Sequence, residues 1–362
     1  MIRILAINPG STSTKFAVYN HTECIFKKTI RHPLEQLLRY KSVIDQFAFR
    51  RGLIIEALVE EGIEVDSIKY IIGRGGLTYP LESGVYEVNN LMLEHLREGV
   101  MGQHASNLGP MLADYIALQI PNARAYIADP VVTDELQAVA RYTGHPMFKR
   151  QSIFHALNQK ATARFHAKKV NKTYEELNLI IAHLGGGISV GAHKDGRVID
   201  VNNALDGEGA FSPERAGTLP VGQLIELCFG EKYSKEQIKR MVVGEGGFVA
   251  YLGTNNAEEV EKRANSGDKL AYKIQEALFY QVAKMIGEMA VVLEGKVDGI
   301  LLTGGLAFNK DLEKYIKRKV GFIAEVFAYP GEDELEALAL NALRVATGEV
   351  VAKEYKAGGN IE

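Results

Sequence analysis

Four hydroxyls, a glycine and a lysine crowd one stretch near the start of the chain, AINPGSTSTKFAVY, residues 6–19. Apolar runs flank it, so it reads as strand, turn, strand. Such a turn points backbone N–H groups outward into an anion-holding nest. Side chains alternate along extended chain, so Ser11, Ser13 and Lys15 share a face, and Asn8 joins them from the first arm. Gly10 lets the chain turn tightly and lets an anion approach. The chemistry this suits is the holding of phosphoryl oxygens; a polar surface hairpin is the other reading. Lys15 lacks the second preceding glycine of a Walker A loop. HLGGGIS (183–189) repeats the theme with Gly185, Gly186 and Gly187 between apolar strands. Consecutive glycines weaken both strands, which points to close approach of a phosphate chain or to a tight turn. LLTGGLAFN (301–309) ends a strand in Gly304 and Gly305. No GxGxxG opens a helix there, which speaks against a Rossmann site. Bare backbone at this point would make a flat wall for a nucleoside.

Charged and titratable residues sit at similar places. Arg74 precedes Gly75-Gly76 at a strand end, and Arg215 lies in the loop FSPERAGTLP. Guanidinium forks suit phosphate and carboxylate oxygens, although an isolated arginine is commonly a solvated surface group. Ser152 is placed to cap a helix starting at Ile153, with His155 in its first turn. His183 ends the strand LIIAHL. Both histidines also read as satisfied core residues. A metal site from His155, His166, His183 and His193 lacks close ligand spacing. Asp129 ends the strand AYIAD before Pro130, as a strand-end carboxylate or an Asx turn. Glu334 lies in the first turn of a helix, where the helix dipole favours acids, beside Glu332 and Asp333.

These residues need elements to position them. The chain has 362 residues, 46% hydrophobic and 24% charged, which suits two domains better than one core. A net charge of -3 gives no broad basic surface for nucleic acid or anionic lipid. Two cysteines make no disulfide framework, and a reducing cytoplasm is expected. No signal peptide is expected before the first apolar run, and no run is long enough to span a membrane. Strands are read at 3–7, 16–20, 24–30, 68–72 and 123–129, with helices at 89–99 and 107–120. A helical stretch at 34–62 is expected to break near Arg51-Gly52. The second half repeats the order: strands at 177–184, 188–194 and 197–203, helices at 221–229, 234–241 and 267–293, then strands at 297–305 and 322–330. Helices at 311–319 and 332–348 complete it. The tail KEYKAGGNIE is expected to fray. The reading is two similarly built α/β domains facing each other across a cleft.

Two glycine hairpins plus a Gly-Gly wall resemble the layout of actin, Hsp70 and hexokinase. More specifically, INPGSTSTK, GRGG, DPVVTDE, SIFHALNQK, AHLGGGIS, VIDVNNALDGEGAFSPERAGTLP, LTGGL and PGEDE resemble, in order, the acetokinase family, and its butyrate kinase branch in particular. The resemblance implies two ribonuclease H-like/actin-like ATPase domains, each a mixed sheet with helices. Residues 1–149 with about 336–362 would form the acyl-substrate domain, and 150–335 the nucleotide domain. It implies ATP-dependent phosphorylation of butyrate, isobutyrate or a similar short-chain acid to an acyl phosphate, with ADP as co-product and Mg²⁺ as cofactor. Arg74 and Arg215 would flank the acyl substrate and the transferring phosphoryl, and His155 would hydrogen-bond that phosphoryl. Asn8, Ser11, Ser13, Lys15, His183, Gly185, Gly186, Gly187, Gly304 and Gly305 would hold the nucleotide. Asn8, Asp129 and Glu334 would serve Mg²⁺, and Phe154 would wall the acyl pocket. A cytoplasmic homo-oligomer, dimer or higher, without nucleic acid or membrane partners, completes the expectation.

Overall fold

The computed structural model describes residues 2–356. By internal contacts the chain divides into two units, Met1–Asp134 with Asp333–Glu362, and Glu135–Glu332. Residues 135–149, expected with the first unit, belong to the second. Glu135 forms a buried ion pair with Lys160 at 2.8 Å and accepts from the Val198 amide, and Arg150 pairs with Asp200 at 2.8 Å. Residues 333–335 belong to the first unit, through Asp333–Lys27 and Glu334–Arg74 ion pairs.

The first unit contains strands β1 (Arg3–Pro9), β2 (Ser13–Asn20), β3 (Glu23–Arg31), β4 (Tyr70–Arg74), β5 (Val85–Glu87) and β6 (Arg124–Ala128). The second contains β7 (Leu179–Leu184), β8 (Ile188–Lys194), β9 (Arg197–Val201), β10 (Gly299–Gly304) and β11 (Val326–Pro330). A last strand, β12 (Lys353–Glu354), returns to the first unit beside β5. The sheets run β12-β5-β6-β4-β1-β2-β3 and β11-β10-β7-β8-β9. In each, an antiparallel three-strand meander carries parallel strands on the edge of its first strand. The repeated order in the sequence is thus a repeated topology.

The apolar runs explain the burial. Ile180, Ala182 and Leu184 face a core shared with helix Lys269–Val292, while Leu179 and Ile181 face helix Ala156–Lys169. A strand covered on both faces reads as continuous hydrophobic sequence, as LNLIIAHL does. In the first unit Leu5, Ile7, Phe16, Ile71 and Ile127 pack with Ile54, Leu58, Leu108 and Leu112 of two helices, Phe47–Glu60 and Leu108–Leu118.

Three expectations change. The stretch at 34–62 breaks between Leu38 and Val43, and helix Phe47–Glu60 runs unbroken through Gly52. A helical glycine costs only about 1 kcal/mol, which the burial of Ile54, Ala57 and Leu58 on the same helix outweighs. His155 is the N-cap of helix Ala156–Lys169 rather than a first-turn residue. The chain before it is held out of the helix by Phe154 in a core cluster and by Ala204 N–H donating to Ile153 O at 2.8 Å. The tail is partly ordered: β12 pairs with β5, and Tyr355 is buried, its hydroxyl 2.9 Å from His95 Nδ1. The rest of the tail, 357–362, lies outside the described residues.

Candidate functional site

In the first unit, register brings the candidate residues into a row. Parallel pairing sets Ile7 opposite Gly73 and Arg74 opposite Ala128, so Asn8, Arg74 and Asp129 emerge at the carboxyl ends of three adjacent strands, β1, β4 and β6. The carboxyl ends of parallel strands are where α/β sheets present ligand-binding groups. Arg74 Nη1 lies 3.0 Å from Glu334 Oε1 and 3.4 Å from Asn8 Oδ1, and Asn8 Nδ2 donates to Glu334 Oε2. Asp129 is buried with φ +38°, a strained backbone for a non-glycine residue. Its Oδ1 accepts from Ser83 Oγ at 2.7 Å and from Gly84 N–H at 2.9 Å. The acids around Glu334 separate by role. Asp333 caps the helix and pairs with Lys27, while Glu332, in the second unit, lies 3.5 Å from His183 Nε2.

The hairpin joining β1 and β2 closes with Gly10 N–H donating to Ser13 O at 2.8 Å. Ser11 and Thr12 are exposed, Ser13 is half-buried and Lys15 is exposed. Thr14 points the other way, into the core. Beneath the turn lies Arg50, fully buried. Its guanidinium donates to Gly10 O, Ser11 O, Ser13 O and Thr14 Oγ1 at 2.8–3.2 Å, and twice to Gln46 Oε1. The loop carbonyls are thereby held inward over a cation. Burial lowers the Arg50 pKa to about 10, still charged at neutral pH. Arg50 belongs to no motif, and its one signal in the sequence is its register with Ile54, Ala57 and Leu58 on a helix: an arginine on an apolar face needs partners.

In the second unit the triple-glycine turn joins β7 to β8. His183 pairs across the sheet with Ser189 and, on the other side, with Thr303 of β10. Gly304 and the turn are therefore neighbours. Gly304 has φ +87°, and a Cβ there would run into the Leu184 backbone, so only glycine fits. A Cβ at Gly187 would overlap the Arg215 guanidinium and lie 3.3 Å from His155 Cε1. Gly187, Arg215 and His155 thus meet at one point. Ser212 Oγ donates to Gly186 O at 2.5 Å, tying the Arg215 loop to the turn. Arg215 Nη1 donates to Ala204 O at 2.6 Å, burial pulls its pKa down, and its buried Nε has no hydrogen-bond partner among the described residues. An orphaned guanidinium N–H is the donor an anionic ligand would satisfy. His155 and His183 stack with ring centroids 3.8 Å apart and planes 13° from parallel. His183 Nδ1–H donates to Asn158 Oδ1 at 2.8 Å. Their 28-residue separation along the chain carries no sign of this stacking. Phe154 is 2% exposed, packed with Leu136, Ala140, Val198 and Val201.

The sequence model of the acetokinase family matches residues 136–322. Over 98% of its length the chain is 55% identical to butyrate kinase 1 of Clostridium acetobutylicum, covering 100% of that protein. Butyrate kinase 2 of the same organism is 52% identical over 98% of the chain and 99% of its own length. The chain belongs to the acetokinase family. The crystal structure of Porphyromonas gingivalis acetate kinase superposes with a TM-score of 0.78 at 16% identity, covering 96% of this chain and 100% of that one. The expected actin-like ATPase fold, two domains each with a mixed sheet and helices, is borne out.

The resemblance implies Mg²⁺, and the donor chemistry can be tested for it. Among the described residues no three His, Cys, Asp or Glu side chains group to hold a metal. Asp129 Oδ1 is occupied by two donors and Glu334 by Arg74. These residues form no dedicated cation cage among the described residues, but Mg²⁺ retains waters and binds mainly through substrate phosphates with one or two carboxylates nearby. The carboxylates of Asp129 and Glu334 and the amide oxygen of Asn8 fit that outer role.

Proposed function

We propose that this acetokinase-family enzyme transfers the γ-phosphoryl group of ATP to butyrate or a similar C3–C5 carboxylate, forming an acyl phosphate and ADP. The observation that carries the reading is the full-length likeness to two butyrate kinases. The side chains support it chemically. A carboxylate has a pKa of ~4–5 and is already ionised at pH 7, so no general base is needed. The obstacle is charge repulsion, which fixed cations and oriented N–H donors lower.

In this reading a carboxylate oxygen attacks the γ-phosphorus in line. The new O–P bond forms as the bond to the β–γ bridging oxygen breaks, and that oxygen leaves on ADP. Arg74 receives the incoming carboxylate. Arg215 and the imidazole of His155 donate to the transferring oxygens. The amides of Gly185, Gly186 and Gly187, with His183 behind them, hold phosphates, and Gly304 and Gly305 lie along the nucleoside. Asn8, Ser11, Ser13 and Lys15 hold the terminal phosphates. Asn8, Asp129 and Glu334 would hold Mg²⁺ through water. When bound, the ion neutralises charge on the β- and γ-phosphates. Phe154 backs the acyl group. Two buried methylenes at about 0.8 kcal/mol each favour butyrate over acetate by more than tenfold. A cytoplasmic homo-oligomer, dimer or higher, belongs to the same reading.

The test is an ATP- and Mg²⁺-dependent hydroxamate assay over a ladder of carboxylic acids. Butyrate or isobutyrate should outrun acetate by at least tenfold in kcat/KM. Arg74→Ala should lose product while still binding ATP. Better turnover of acetate or propionate would overturn the substrate assignment, and ATP binding without any acyl phosphate would overturn the activity.

A further inference from the structure

The histidine assigned to the phosphoryl group sits at the end of a buried hydrogen-bond chain whose direction can be worked out atom by atom. Gln159, one turn along the helix from His155, is fully buried. Its Nε2 lies 3.1 Å from the backbone oxygen of Ser189 and 2.8 Å from Ser189 Oγ. A carbonyl oxygen only accepts, so the amide NH₂ must face Ser189, and the Gln159 carbonyl oxygen must face the other way. There it lies 2.8 Å from His193 Nε2, which therefore carries a hydrogen and donates. His193 is fully buried, and its Nδ1 lies 2.6 Å from the Tyr174 hydroxyl. Burial, with Lys160 and Arg164 nearby, keeps His193 neutral, so Tyr174 donates to Nδ1. At the near end Ser189 Oγ accepts from Gln159 and lies 3.5 Å from the His155 backbone N–H. With those donors on its lone pairs, the hydroxyl hydrogen is directed to His155 Nδ1, 2.9 Å away. Nδ1 is then the acceptor, and the ring hydrogen of the neutral imidazole sits on Nε2.

We propose that the buried chain Tyr174–His193–Gln159–Ser189 fixes the tautomer of His155, so that a neutral ring presents its Nε2–H as a donor to the transferring phosphoryl oxygen. Gln159, Ser189 and His193 are positioning residues in this scheme, and the proposal rests on the assignment of His155 to the phosphoryl group. A neutral donor has a physical advantage here. His155 stacks on His183 at 3.8 Å, and two imidazolium rings at that distance would repel. A hydrogen bond from a neutral ring strengthens as charge builds on the phosphoryl oxygen, and the ring needs no counter-ion of its own. Ser189 and His193 lie on one face of β8, two alternations apart, and His155 and Gln159 lie at i and i+4. Local geometry on these two elements therefore builds the relay from His193 to His155, and Tyr174 joins it from the 3-10 turn Tyr174–Glu176.

The test is ¹⁵N-histidine NMR of the full-length enzyme at neutral pH, with His155 assigned through His155→Gln. The expected spectrum shows the Nε2–H tautomer in the wild type. Ser189→Ala should mix the tautomers and lower kcat on the order of tenfold to a hundredfold, the range for removing a partner that orients a functional histidine, with KM for ATP little changed. Ser189→Thr, which keeps the hydroxyl, should restore both. Gln159→Met should mix the tautomers as Ser189→Ala does. An Nδ1–H tautomer in the wild type, or one unmoved in Ser189→Ala, overturns the relay whatever the kinetics. A tautomer that mixes in Ser189→Ala without loss of kcat leaves the relay measured and overturns the phosphoryl assignment of His155. The wild-type spectrum decides the first point even where a variant fails to fold.

Discussion

Replacing Arg50 by methionine should strip the first hairpin of its foundation. The substitution keeps length and apolar bulk but removes the guanidinium that donates to three loop carbonyls, to Thr14 Oγ1 and to Gln46. Charge-assisted bonds contribute roughly 1.5–3 kcal/mol each. Against them stands the cost of burying the cation. Burial lowers its pKa to about 10, a penalty of about 3 kcal/mol, present in full below the folded pKa and relieved only as pH rises through it. The bonds outweigh that cost. Ser13 O keeps the Gly10 amide as a donor, while Gly10 O and Ser11 O lose theirs. The net loss should be about 3–5 kcal/mol, the usual result of breaking a buried charged network. At about 2–4 °C per kcal/mol, that lowers the melting transition of the first unit by roughly 6–20 °C. Arg50→Lys restores charge but not the fork, and should recover only part of this. With the loop loosened, KM for ATP should rise at least tenfold in both variants, because the amides that meet the phosphates are no longer pre-set. Calorimetry and initial-rate kinetics read the two effects. A methionine variant that melts within 2 °C of wild type on this ~2–4 °C scale and keeps its KM would refute the reasoning.

Gly187→Ala should lower kcat on the order of a hundredfold, because the new methyl occupies the space of the Arg215 guanidinium. Stability should fall by only about 1–3 kcal/mol, so activity lost far below the melting temperature marks a local displacement, and unchanged turnover would deny that Arg215 acts there. His32, buried and donor-linked to Thr14, has its pKa lowered to about 4, first by burial and second by the Arg50 charge. The unfolded chain binds that proton near pH 6.5 and the folded chain does not, so stability should drop by up to about 3 kcal/mol as pH falls from 6.5 to 4. Denaturant midpoints of wild type and His32→Gln across that range check it, and identical slopes would exclude His32 as the cause.

The sequence alone determined whatever depends on neighbours along the chain. Strand length, helical period, the glycine turns and the repeated order of elements are local patterns, and they carried the fold, the family and the places where candidate residues end their strands. Register then followed: once β1, β4 and β6 are adjacent, Asn8, Arg74 and Asp129 must align. Only tertiary structure decided which groups satisfy one another. Arg50 meets the hairpin from about 40 residues away, Gln159 meets Ser189 across 30, and Arg74 meets Glu334 across 260. A buried donor takes its acceptor from whatever the fold brings near, and spacing along the chain carries no record of that choice. The start of the helix after His155 shows the same limit. Ser152 has the chemistry of a cap, but packing of Phe154 keeps the chain out of the helix for three more residues. Tertiary burial is worth more than a local cap, and so the fold overruled the pattern.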